Sequence, residues 1–183
     1  MVMVPMKKSL LQPQQADALL KQAPLFGRAL SPVVREGITL LRLNAEGLTK
    51  AKTDVLVHLA QPHKVAVILL QETHVKERSH LKIPGYTLAA FTKSDVHGTA
   101  TFVNNRNTWR MWTICPEGSA VEWTAVDVEG ATIVNVCKPP RTQLSQGSIP
   151  GFKRPCIYAE DCHSTTCGWR DVGPMSHFLR FRS

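Results

Sequence analysis

An uninterrupted apolar run rich in β-branched residues, Val65 to Leu70 (VAVILL), most limits what this chain can fold into. A strand that is apolar on both faces has to be covered on both. The run therefore predicts a central strand between two layers, not a half-exposed antiparallel one. It stops at Gln71-Glu72-Thr73-His74. A carboxylate just past the C-terminal end of a buried strand stands where α/β folds place their chemistry.

The residues before this run predict a strand and a helix. Ile38 to Leu43 is a short apolar strand ending at Asn44, and Gly47 breaks the chain. Thr49 is placed to cap a helix over Lys50 to Ala60, which Pro62 closes. Further upstream the chain changes character. Residues 1–36 read as a leader or linker with one helical candidate, from about Gln14 to Leu30, ended by Ser31-Pro32.

The middle of the chain reads as strand and turn. Tyr86 to Thr92, Gly98 to Val103 and Trp109 to Ile114 are strand candidates. Val121 to Val128 and Ala131 to Val136 flank Glu129-Gly130, a two-residue hairpin signal. A loop rich in Ser, Gln, Gly and Pro runs from Pro139 to near Pro155. Cys156 to Ala159 is a last short strand, with Asp161 just past its end.

Three strands thus each deliver a polar group at one end: Asn44, Glu72 and Asp161. Neighbouring strands lie only about 5 Å apart, so such ends can converge. Oxygen ligands of this kind suit a hard cation such as magnesium, which takes a few carboxylates plus waters and a phosphate. The plainer alternative makes Asn44 a turn residue and the two acids ordinary loop residues.

Charge favours an anionic partner. The 183 residues carry a formal net charge of +8, with a sequence pI of about 9.5. Nucleic acid is the commonest partner of such a chain, although a basic surface also serves solubility. The basic residues are scattered, which points to a charged face instead of a basic arm. No run approaches the roughly 18 apolar residues that cross a bilayer, and no secretion signal is evident. The five cysteines show no paired spacing and suit a reducing compartment. Cys156, Cys162, His163 and Cys167 invite a zinc reading. Against it, the set holds no Cys-x-x-Cys, and Cys162 and His163 are adjacent.

The ordered motifs carry a resemblance. Leu43-Asn44-Ala45-Glu46-Gly47-Leu48 resembles the first motif of the endonuclease/exonuclease/phosphatase superfamily, and Leu69-Leu70-Gln71-Glu72-Thr73 resembles its second. Ile83-Pro84-Gly85-Tyr86 and His97 to Val103 are similar to stretches of the endonucleases carried by non-LTR retrotransposons, upstream of a reverse transcriptase. Asn135-Val136-Cys137-Lys138-Pro139-Pro140 resembles the third motif. Tyr158-Ala159-Glu160-Asp161 falls where the family has the Gly-Asp of Gly-Asp-Phe-Asn. Any one motif is weak; their order and spacing are specific.

The resemblance implies an α/β fold, a partial four-layer α/β sandwich with its C-terminal half missing. Residues 37–169 would be the N-terminal part of the domain and 170–183 an unmatched tail. It implies a Mg2+- or Mn2+-dependent phosphodiesterase acting on DNA, intracellular, and nuclear if chromosomal DNA is the substrate. Glu72 and Asn44 would hold the metal, with Glu46 contributing a second carboxylate. Glu72, Asn44 and Asp161 would form the catalytic set, with Asp161 orienting or deprotonating the attacking water.

Departures from the pattern predict impaired activity. Cys137 stands where the family has a Tyr that bonds the phosphate, and a thiol is shorter and a weaker donor. Glu160 replaces the Gly before Asp161. Asp161 runs directly into Cys162, as if the Phe and the phosphate-binding Asn were deleted. Losing such a donor costs on the order of 3 kcal/mol of transition-state stabilisation. Residues 170–183 match nothing of the family's late Ser-Asp-His motif; His177 is the tail's lone histidine, and His74 and His163 are poor substitutes. A truncated sandwich would expose sheet edges, giving weak folding cooperativity. The competing readings are a non-enzymatic nucleic-acid-binding remnant, a phosphatase of the same superfamily, and a zinc-binding module.

Overall fold

A computed structural model describes residues 31–35, 38–139, 142, 147–152, 156–161 and 176–179, with 31–35, 160–161 and 176–179 described by their backbone alone. The helical candidate Gln14 to Leu30 and the segment Cys162 to Cys167 lie outside the described residues.

The apolar run forms β3 (Val67–Gln71), buried at every position. It lies parallel to β2 (Ile38–Asn44), with Leu41 opposite Ile68 and Asn44 opposite Gln71. Between them runs α1 (Lys50–Ala60), the expected helix, whose Thr49 cap accepts from the Lys52 amide at 3.3 Å. On its other side β3 pairs antiparallel with β5 (Thr99–Asn104), which pairs with β4 (Tyr86–Phe91). The sheet's other edge is β1 (Ser31–Arg35), antiparallel to β2. The sequence places these five residues in the leader; in the fold they belong to the sheet.

A second five-stranded sheet faces the first. Trp109–Ile114 (β6), Glu122–Val128 (β7) and Ala131–Cys137 (β8) form an antiparallel meander. The β7–β8 turn is the expected one. Glu129 (φ 48°) and Gly130 (φ 80°) both adopt the left-handed conformation that a two-residue hairpin requires. Cys156–Asp161 (β9) adds parallel to β8, and Ser176–Leu179 (β10) adds parallel to β9.

Period-two alternation divides the apolar residues into three cores. Leu40, Val67, Leu69 and Val103 of the first sheet meet Val126, Val128, Ile133 and Ile157 of the second. On the outer face of the first sheet, Leu41, Leu43, Ile68 and Leu70 pack on Leu56 and Ala60 of α1. On the outer face of the second, Ala125, Val134, Val136 and Tyr158 pack with the loop residues Ile149 and Phe152. The described residues therefore make a helix layer and two sheets. The fourth layer of the expected sandwich has no helix among them.

Candidate functional site

Along the inner faces the side chains turn from apolar to polar toward one end of the sandwich. On β2 and β3, Leu40 and Val67 give way to Arg42 and Leu69, then Asn44 and Gln71. On β8 the order is Ile133, Asn135, Cys137. Buried polar groups need partners, and here they find one another across the sheets. Gln71 Nε2 donates to Asn135 Oδ1 at 2.5 Å, and Arg42 Nε donates to Gln71 Oε1 at 3.3 Å. Asn135 Nδ2 reaches Leu70 O (3.1 Å), Ala100 O (3.2 Å) and Thr101 Oγ1 (3.3 Å). Thr101 and Thr124 share a hydrogen bond of 2.9 Å, and Thr92 Oγ1 donates to Glu122 Oε2 at 2.8 Å. This net fixes one sheet end against the other.

The predicted site residues stand at that end. Asn44 closes β2, and its Oδ1 accepts from the Glu46 amide at 3.0 Å, an Asx turn. Asn44 is thus a turn residue standing at a strand end. Glu72 directly follows β3 and is half-buried. Glu46 is exposed on the turn after Asn44. The two acidic segments run side by side. Ala45 N donates to Gln71 O at 2.7 Å, Gly47 N to Glu72 O at 2.7 Å, and Leu48 N to Thr73 O at 3.0 Å. Asp161 is the last residue of β9, which runs two positions beyond the expected strand end at Ala159, and it pairs in register with Cys137. Asn135, two residues earlier on β8, bonds Leu70 O beside Gln71. Strands β2, β3, β8 and β9 therefore finish at one end of the sandwich.

The backbone at this end is strained. Glu46 (φ 42°), Glu72 (φ 50°) and His74 (φ 52°) are left-handed without being glycine, each at a cost of about 1 kcal/mol or more. Non-glycine residues stay in this region only where their surroundings dictate it. The next segment supplies part of that constraint: Thr73 N donates to Gly98 O (3.2 Å) and His74 N to His97 O (2.9 Å).

Among the described residues, no group of three or more His, Cys, Asp or Glu could form a protein cage for a metal. Magnesium does not require one. It keeps several waters and binds through one or two carboxylates together with substrate phosphates. One carboxylate, Glu72, and one amide oxygen, Asn44, fit that donor set. The zinc set is only partly described; Cys115, Cys137 and Cys156 are buried and in no disulfide. Cys137 is 1% exposed.

Sequence reasoning passed over Lys52, Arg42 and Gln71. Arg42 and Gln71 carried a signal: each is polar at an inward position of an otherwise apolar strand. Lys52 carried none, because its partners are backbone carbonyls.

No family model matches the chain, and no curated protein matches it. Among solved structures, the AP endonuclease LMAP from Leishmania major is similar at 19% identity with a TM-score of 0.35. The match covers 69% of this chain and 51% of that one, so this chain spans about half the length of that structure. So loose a likeness places no side chain.

Proposed function

We propose that the chain carries the N-terminal part of a Mg2+- or Mn2+-dependent phosphodiesterase domain of the retrotransposon-endonuclease type, with DNA as its substrate and its activity impaired. One observation carries the reading. Asn44 and Glu72 stand at the ends of two paired parallel strands, at the end of the sandwich where β9 finishes in Asp161. The ordered motifs and the +8 charge add support.

Glu72 and Asn44 would hold the ion, with Glu46 as a second candidate carboxylate. A divalent cation there supplies charge to offset the phosphate and the developing oxyanion. Asp161 would accept a proton from, or orient, the attacking water. The Gln71–Asn135 pair keeps the two sheet ends in fixed relation. The weak point is phosphate handling: Cys137 is buried and a poor donor where the family has a Tyr.

A second reading, a nucleic-acid-binding remnant without catalysis, is favoured by that same Cys137. Plasmid nicking by the 183-residue protein in magnesium separates the two. Nicking that disappears in Glu72→Ala supports the first. DNA binding with no nicking at high protein supports the second.

A further inference from the structure

Lys52 is out of place by two ordinary rules. It is 7% exposed although lysine is seldom buried, and it sits in the first turn of α1, where the helix dipole disfavours a cation. No acidic residue shares that turn. Its ammonium is held instead by three consecutive backbone carbonyls, Ala45 O (2.5 Å), Glu46 O (3.1 Å) and Gly47 O (3.0 Å). An ammonium has three N–H donors, and these three bonds use all of them. Lys52 therefore has no donor left for a phosphate.

The same loop is bonded from its other side. While Lys52 takes the carbonyls of residues 45–47, the amides of Ala45, Gly47 and Leu48 donate to Gln71, Glu72 and Thr73. The loop is thus clamped between a buried cation and the segment that carries Glu72. Two of the strained residues, Glu46 and Glu72, lie one on each side of this ladder.

We infer that Lys52 is a positioning residue: by locking loop 45–48 it fixes the conformation of Glu72 and the orientation of Asn44 for a divalent cation. The inference rests on the cation site proposed above. It adds a residue that touches neither metal nor substrate and acts through the loop. Outer-shell partners of this kind commonly alter metal affinity by about 10- to 100-fold.

The test uses the full chain, 15N-labelled, titrated with Mn2+ alone, with amide exchange measured in parallel without metal. Lys52→Met removes the clamp. Lys50→Met removes an equal charge from the same turn; Lys50 is exposed and pairs with Asp54 at 3.0 Å. The expected result is local Mn2+ broadening around Asn44 and Glu72 in the parent, weakened about tenfold or more by Lys52→Met. Lys50→Met should change it by no more than about twofold. The amides of Ala45, Gly47 and Leu48 should exchange about tenfold faster in Lys52→Met, with Ile133 to Asn135 unchanged. Should Lys52→Met fail to fold, Lys52→Gln, which keeps two donors, decides by an intermediate effect on the same amides. Unchanged loop exchange, or equal affinity in the Lys50 and Lys52 variants, overturns the clamp. If the parent shows no local broadening, the cation site itself fails; loop exchange then decides the clamp alone, supporting it if faster and overturning it if not.

Discussion

The side-chain amide of Gln71 donates to the amide oxygen of Asn135 at 2.5 Å, joining the facing sheets through two residues that are both 0% exposed. Removing one partner orphans the other in a dry interior, which costs more than the bond itself is worth. Asn135→Ala also strips a donor from Leu70 O and Ala100 O, so a loss of about 3 kcal/mol is expected. Gln71→Ala should cost about 2 kcal/mol. The double variant should cost clearly less than the sum, with a coupling of about 1 kcal/mol or more. Urea unfolding of the four proteins measures this. Strict additivity would mean that the pair does not act as one unit.

Much of this fold was legible because its signals are local. The helix Lys50–Ala60 follows from Thr49 and Pro62, and the β7–β8 hairpin from Glu129-Gly130. Strand β1 escaped because Pro32 reads as a breaker, yet an edge strand tolerates proline. Its signal was present in Glu36-Gly37, an acid-glycine pair like the one at the β7–β8 turn. At the candidate site, the strand-end positions of Asn44 and Glu72 follow from where the apolar runs stop. Lys52 could not, since its three acceptors converge only after Glu46 and Gly47 have turned through positive φ. The contact of Asn135 with Gln71 spans 64 residues and depends on which sheets face each other, information that no local window holds.

Gly98 is expected to tolerate no side chain. Its φ is +91°, and a Cβ there would stand 2.7 Å from Thr73 Oγ1. Backbone strain and overpacking together predict a loss of about 2–3 kcal/mol for Gly98→Ala. Thr73 Oγ1 is buried with no hydrogen-bond partner among the described residues. Thr73→Ala on its own therefore breaks none of the described hydrogen bonds, and in combination it relieves the clash. Thermal unfolding should show Gly98→Ala partly rescued by Thr73→Ala. A double variant as unstable as the sum of the singles would place the strain wholly in the backbone.

Strand β6 is a sheet edge carrying Met111 (52% exposed), Trp112 (45%) and Ile114 (43%). Trp112 is steadied by Phe152, edge-on at 6.3 Å, and by the Arg110 guanidinium at 5.2 Å. An exposed apolar edge is a template for pairing with another chain. The protein should bind the dye ANS and associate as its concentration rises. Ile114→Lys should reduce both while leaving the far-ultraviolet spectrum unchanged, because a charge on an edge strand opposes pairing. Equal dye binding by parent and variant would move the exposed surface elsewhere.

Alkaline pH offers a probe of the second sheet. Burial raises Tyr158 from the usual 10.0 to about 12, with Cys156 beside it acting in the same direction. Burial also raises Tyr86, whose hydroxyl donates to Val65 O at 2.8 Å. A phenol whose folded pKa lies above its unfolded one retains its proton longer in the native state. Its contribution to stability is therefore complete below pH 10 and is lost as pH climbs toward 12. The chain has two tyrosines, so near-ultraviolet absorbance of tyrosinate follows both. Neither should ionise fully near pH 10 while the fold persists, and Tyr158 should ionise near pH 12 or together with unfolding. Tyr158→Phe removes the titrating group but retains the ring packed among Val134, Val136 and Trp123. Its stability should decline less steeply than the parent's across that window, with the remaining slope owed to Tyr86 and the buried Cys115 thiol, both raised by burial. Parallel slopes for parent and variant would show that the Tyr158 hydroxyl is already hydrated in the folded state.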